Sequence, residues 1–145
     1  MTAHQADTSA HFTPTFAPSA DPDQPPLITA VAVDADDGTV LMLAHMDARA
    51  LAATRRTGIA HFWSRSQRKI WRKGETSGNE LAISRILVDC DQDALVLEVR
   101  VLGDGVACHT GVGSCFYRSV PLQAGDDGDV LTWLDQDQAA ARAQD

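Results

Sequence analysis

The chain has 145 residues, of which 44% are hydrophobic and 22% charged, and a formal net charge of −8. A length of this order accommodates one domain that buries a core without disulfide staples, and the negative balance speaks against a general binder of phosphate polymers, which needs a basic surface. No window approaches the roughly 18 consecutive apolar residues of a membrane span, and the first residues lack the basic and apolar regions of a signal peptide, so a cytoplasmic location with no membrane partner is expected.

Residues 1–26 hold five of the six prolines, many Ser, Thr, Ala and Asp, and no hydrophobic period. Such a composition does not offset its ordering entropy by burial, which predicts a flexible N-terminal arm. The folded domain is expected over 27–121. It opens with "LITAVAVDADDGTVLMLAHM", two β-rich runs around a hairpin signal with Gly38 at the turn. Asp47 then stands at an N-cap position before "ARALAATRRT", and Gly58 supplies the stop, which predicts one short helix.

Between Asp47 and Glu75 there is no acidic residue, yet Arg49, Arg55, Arg56, Arg65, Arg68, Lys69, Arg72 and Lys73, eight of the twelve basic side chains, fall there. A solvated charged face is the ordinary meaning of such a run; in an acidic protein it also suits a small anionic substrate. Within it, "HFWSRSQRKIWRKGETSG" has extended stretches expected to pair and ends in a loop rich in hydrogen-bond donors. "LAISRILVDCDQDALVLEVRVLGDG" predicts two further strands with an acidic cluster at their junction, and "CHTGVGSCFYRSV" a Gly-rich loop entering one more short strand. Residues 122–145 read as a C-terminal extension with a partly helical end. The expected fold class is α+β, a mostly antiparallel β meander with one or two short helices.

All three cysteines lie in two short stretches, "DCDQD" and "CHTGVGSC". In a reducing compartment an odd set reads as thiolate chemistry or metal ligation. Cys90, Cys108 and Cys115 fit an open zinc site with a fourth position for water. Two alternatives stand beside it: buried small apolar residues, or a closed structural zinc site with His109 as fourth ligand. Neighbours in an extended segment point to opposite faces, which weighs against Cys108 and His109 binding one ion. By the same alternation, a strand would put Asp89, Asp91 and Asp93 on one face and Cys90 on the other. Hard carboxylate oxygens suit Mg²⁺ where thiolates suit Zn²⁺, so two metal sites are expected; a solvated acidic turn is the plainer reading. His109, with an ordinary pKa near neutrality, suits a general acid or base, while His61 in its aromatic strand reads as structural and His45 is left open.

Taken together, "HFWSRSQRKIWRKGETSG", "DCDQDAL" and "ACHTGVGSCFYR" resemble the phosphoribosyl-AMP cyclohydrolase family, in the right order and over roughly residues 27–120. The resemblance implies a zinc- and magnesium-dependent homodimer of histidine biosynthesis that adds water to the adenine ring of 1-(5-phosphoribosyl)-AMP and opens it between N1 and C6. It implies Cys90, Cys108 and Cys115 as zinc ligands shared between subunits, Asp89, Asp91 and Asp93 as magnesium ligands, and His109 as the catalytic histidine. Arg65, Lys73, Thr76, Ser77 and Gly78 are expected to meet the substrate's phosphates. The chain departs from the family at Phe62, where Tyr is more usual, at Arg72, where His is, and in a longer "VLGDGVA"; it is too short for the fused pyrophosphohydrolase of some relatives, so a monofunctional enzyme is expected.

A ribosyl group on N1 leaves C6 electron-poor, and zinc supplies a nucleophile by lowering the pKa of bound water. Three thiolates weaken that Lewis acidity, so a base such as His109 would help. A rival of another class is a zinc-stabilised module that grips nucleic acid through "FWSRSQRKIW", which the net charge of −8 opposes. A zinc nucleobase deaminase would need H-x-E and P-C-x-x-C arrangements that this sequence lacks.

Overall fold

Strand β1 (Ile28–Asp34) buries Ile28, Ala30 and Ala32, the every-second-residue pattern that an extended chain imposes. The computed structural model describes residues 10–108, 111–125 and 128–134. Strand β2 (Val40–Met46) returns antiparallel to β1 through a turn in which Asp34 Oδ1 accepts the amides of Asp36 and Asp37 at 2.8 and 3.2 Å. Asp47 then caps helix α1 (Ala48–Thr57), accepting the Ala50 amide at 2.8 Å, and Gly58 ends it at φ 72°, a left-handed conformation that burdens any residue with a Cβ.

The helix buries Ala50, Leu51, Ala53 and Thr54. The Thr54 hydroxyl donates to the Ala50 carbonyl at 2.9 Å and accepts the His61 amide at 2.9 Å, fixing the helix to strand β3 (His61–Ser64). Strand β4 (Lys69–Arg72) pairs antiparallel with β3, and Phe62 and Trp71 meet with ring centroids 5.4 Å apart. Strands β5 (Leu81–Val88) and β6 (Ala94–Val101) form a second antiparallel hairpin, and Leu95, Leu97 and Val99 of β6 alternate into the core beside Leu81 and Met46.

The main sheet has the order β2-β1-β6-β5, with β1 and β6 parallel at its centre. The α+β class and the mostly antiparallel pairing agree with expectation, but a pure meander does not. Local patterns announce a strand and its hairpin partner; the pairing of β1 with β6 is decided by shared burial over a long crossover. The β3–β4 hairpin is tied to this sheet by the Ala60 amide to the Leu81 carbonyl at 3.0 Å and the Ile83 amide to the Gly58 carbonyl at 2.8 Å.

The arm, read as flexible from its composition, makes contacts with the domain from residue 11 onward. Ala17 and Leu27 exchange backbone hydrogen bonds of 2.8 and 2.9 Å, Phe16 packs on the core, and the Gln24 carboxamide accepts Trp63 Nε1–H at 2.8 Å while donating to the Arg65 carbonyl at 3.0 Å. The prolines restrict the unfolded chain as much as the folded one, so they lower the ordering entropy that argued for disorder. In the C-terminal extension, Thr132–Trp133 form a short strand, β8, paired with β7 (Arg118–Ser119), and the stretch on which the helical expectation mainly falls lies outside the described residues. Arg118 lies over the rings of Tyr117 and Trp133, at 5.1 and 5.7 Å. Residues 135–145 lie outside the described residues.

Candidate functional site

The acidic triplet occupies the turn between β5 and β6 rather than a strand, so alternation along an extended chain is not what gathers it. The Asp89 carboxylate folds back over the turn and accepts the amides of Asp93 and Ala94 at 2.9 and 3.2 Å, while the Gln92 amide donates to the Asp89 carbonyl at 3.1 Å. Gln92 takes a left-handed φ of 57°. As a result, one carboxylate oxygen from each of Asp89, Asp91 and Asp93 lies within 4.8 Å of the others, an acidic group able to hold a metal ion.

The crowding has an electrostatic signature. Hydrogen bonding with Asp91 and then Asp89, reinforced by desolvation and by both neighbouring charges, pushes Asp93 up to about 6. Asp89 moves the other way: desolvation acts against it, but the side-chain and backbone hydrogen bonds of Asp93, with further ones from Asp91 and Ala94, hold its carboxyl below the usual value. The turn thus holds on to a proton at a pH where isolated carboxylates have lost theirs. A hard dication replaces such a proton, so the donor set fits the magnesium ion that the resemblance implies.

The cysteines divide into a pair and a single. Cys108 is buried, Cys90 and Cys115 are exposed, and the Cys108 and Cys115 side chains are neighbours. Desolvation first, then the neighbouring Cys108, pushes the Cys115 thiol up to about 11, with Lys73 pulling it partly back. Such a thiol ionises at neutral pH only against a strong cation, so the pair fits zinc. The loop that carries it is seated on β2: the Cys115 amide donates to the Leu41 carbonyl at 2.7 Å, and the buried Ser114 donates its hydroxyl to the Val40 carbonyl at 2.7 Å.

Cys90 follows β5, the opposite edge of the same sheet. Val40, Val33, Glu98 and Arg85 form one row across the four strands, and Cys90 lies beyond Val88, the end of β5. Three strand spacings and at least three residues of rise separate the pair from the single, on the order of 17 Å. Sulfurs on one zinc ion are at most about 4.6 Å apart, so one chain does not bring all three together.

The basic hairpin and the "GETSG" loop supply the remaining side chains. Lys73 lies close enough to act on the Cys115 thiol, and Arg65 on His45, whose pKa is lowered by burial and then by that guanidinium. Thr76 and Ser77 are exposed, and the Ser77 hydroxyl accepts the Asn79 amide at 3.2 Å. The Gly78 amide is engaged with the Gly74 carbonyl at 2.8 Å, so it is not a spare donor. His109 lies outside the described residues.

Three buried polar residues that build this arrangement escaped the sequence reading. Asn79 accepts the Asp104 amide at 2.7 Å and joins the "GETSG" loop to the approach of Cys108; Ser114 seats the cysteine loop; Gln92 sits inside the acidic turn. Polar residues among glycines and aspartates read as solvated loop, and only the partner, distant in sequence, reveals burial.

A family model described as phosphoribosyl-AMP cyclohydrolase matches residues 42–117, more than half of the chain. The chain belongs to the phosphoribosyl-AMP cyclohydrolase family. It is 58% identical over 114 residues to the phosphoribosyl-AMP cyclohydrolase of Chelativorans sp., covering 79% of this chain and 78% of that one. Identity to the Brucella anthropi protein of that name is 55% over 120 residues, 83% of this chain and 81% of the relative. The corresponding protein of Sphingopyxis alaskensis is 53% identical over 133 residues, 92% of this chain and 95% of its own. As a member of the cyclohydrolase family the chain is a hydrolase that acts on a cyclic amidine. The matched span contains the basic hairpin, the acidic turn and all three cysteines; the N-terminal arm and strand β8 lie outside it.

Proposed function

We propose that the protein hydrolyses the N1–C6 bond of the adenine ring of 1-(5-phosphoribosyl)-AMP, in histidine biosynthesis, at a site that two copies of the chain assemble. The observation that carries this reading is the separation of Cys90 from the Cys108–Cys115 pair across the sheet of one protomer. In a two-fold dimer, Cys90 of one copy meets Cys108 and Cys115 of the other, and the contact occurs twice. Phe116, Val120 and Leu122, exposed apolar side chains directly after Cys115, support a partner surface there.

Zinc on the three thiolates supplies Lewis acidity toward water when bound, and magnesium on the aspartates a counter-charge for phosphate. The chain's own groups do the rest. Lys73, beside the cysteine pair, and Arg65, on the β3–β4 turn, attract an anionic substrate, and the Thr76 and Ser77 hydroxyls hydrogen-bond to its phosphate oxygens. Gly78 contributes the shape of the loop rather than a free amide. His109 acts as base: it takes a proton from the water that adds to C6 and returns one to N1 as the N1–C6 bond breaks. C6 becomes the carboxamide carbonyl, and N1, still bearing the phosphoribosyl group, stays on C2, which becomes the formimino carbon.

The test is ultraviolet-monitored turnover of 1-(5-phosphoribosyl)-AMP by the purified full chain, coupled to metal analysis. Turnover that follows zinc content supports the reading. A zinc-loaded chain that leaves this substrate intact contradicts it.

A further inference from the structure

We propose that residues 11–15 form a strap that positions the acidic turn for its cation by holding Gln92, an inference that rests on the reading of Asp89, Asp91 and Asp93 as a divalent-cation site. Gln92 lies between two aspartates on a turn, where exposure is the ordinary outcome, yet it is only 6% exposed. The strap is what binds it. The Thr15 amide donates to the Gln92 carbonyl at 2.7 Å, the Thr13 amide donates to Gln92 Oε1 at 2.7 Å, and Gln92 Nε2 donates to the His11 carbonyl at 3.2 Å. Amides two residues apart in an extended segment point the same way, so Thr13 and Thr15 together grip both the main chain and the side chain of one residue.

The strap has its own anchors. The Arg55 guanidinium lies 5.4 Å from the Phe12 ring centroid, Phe12 lines a groove with Leu51, Ile86 and Val88, and Phe16 packs on the core. These contacts offset the entropy of ordering the segment, and the grip on Gln92 offsets the cost of its left-handed φ of 57°. Three carboxylates in mutual contact repel, and a turn free to relax would separate them. A turn clamped at Gln92 keeps them converged before a cation arrives, which spares the ion that work of reorganisation. Gln92 is in this sense a positioning residue, and the strap that holds it lies outside the family-matched span.

Mn²⁺ binding, read from the electron paramagnetic resonance signal of the free ion, tests this on the zinc-loaded full chain and four variants: deletion of residues 1–15, Gln92→Gly, their combination, and Asp91→Asn. Glycine keeps the left-handed conformation without strain, so Gln92→Gly removes the side-chain grip alone and stands if the deletion variant folds poorly. Asp91→Asn should weaken Mn²⁺ binding. Deletion and Gln92→Gly should each weaken it roughly tenfold, the lower end of the scale on which residues behind metal ligands act, and the combination should be no weaker than the deletion. In the metal-free chain, hydrogen exchange at the Asp93 and Ala94 amides, both bound to Asp89 Oδ1, should accelerate in the same variants. If Asp91→Asn weakens Mn²⁺ binding but the deletion and Gln92→Gly bind like the parent, the strap is overturned and the cation site stands. If Asp91→Asn has no effect, the cation reading itself falls, and the strap's role with it.

Discussion

The Cys115 amide donates to the Leu41 carbonyl at 2.7 Å, so the cysteine loop is an added rung on the outer edge of β2. Its second fastening is the Ser114 hydroxyl on the Val40 carbonyl, also at 2.7 Å. Ser114→Ala leaves that carbonyl without this donor and should lower stability by about 1 kcal/mol. The same variant should surrender zinc more readily to a chromophoric chelator, because the pair Cys108 and Cys115 is less well placed. Zinc retention equal to the parent's would show that the Leu41 bond alone seats the loop.

The acidic turn gives a pH dependence with a definite sign. Asp93, raised to about 6, binds its proton more tightly in the folded chain than in the unfolded one, where 3.8 applies, so the metal-free protein loses stability as pH rises through that interval. Asp89, lowered, has the opposite sign: its contribution is present above 3.8 and is lost as pH falls through its folded value. A cation competes with the Asp93 proton. Magnesium should therefore raise the melting temperature clearly at pH well above about 6 and much less at a pH well below it. Equal shifts at both would remove Asp93 from the ligand set.

Gly74 and Gly78 separate close packing from backbone strain. A Cβ on Gly74 would lie 2.4 Å from the Asn79 carbonyl carbon and the Glu80 nitrogen, at a φ of 85°, whereas one on Gly78, at φ 81°, would meet nothing within 4 Å. Gly78→Ala should cost roughly 1 kcal/mol of strain, and Gly74→Ala at least about twice that, with loss of activity because the loop bearing Thr76 and Ser77 must move. Denaturant unfolding of the two variants decides it; equal losses would mean that the loop yields without cost.

The hairpin at Gly38, the Asp47 cap, the Gly58 stop and the hairpin joining β5 to β6 were legible because each is announced within a few residues of itself. The family motifs were legible for the same reason. The parallel β1–β6 pair, most of the hold of residues 11–24 on the domain and the burial of Gln92, Asn79 and Ser114 were not, since they depend on partners between 25 and 81 residues away, such as Gln92 with His11, Asn79 with Asp104 and Ser114 with Val40. The acidic triplet is legible in the sequence, but the geometry that gathers it is not: its carboxylates meet across a turn closed by Asp89, not along one face of a strand.

His109→Asn keeps a side chain of similar size without the titrating ring. Zinc content should stay at the parent level while kcat falls roughly 10²-fold or more, the usual contribution of a general acid or base. Metal analysis beside steady-state kinetics reads both. Loss of zinc would instead make His109 a ligand and favour a closed structural site.

The central claim, a zinc site built from two copies, is tested most directly by complementation. Cys90→Ala homodimers and Cys108→Ala/Cys115→Ala homodimers should both lack zinc and activity, since neither assembles three thiolates. A purified mixed dimer carries Cys90 on one chain and Cys108 with Cys115 on the other, which rebuilds one site of the two and should recover zinc and about half of the parent activity per dimer. A confirmed mixed dimer without zinc or activity would contradict the shared site.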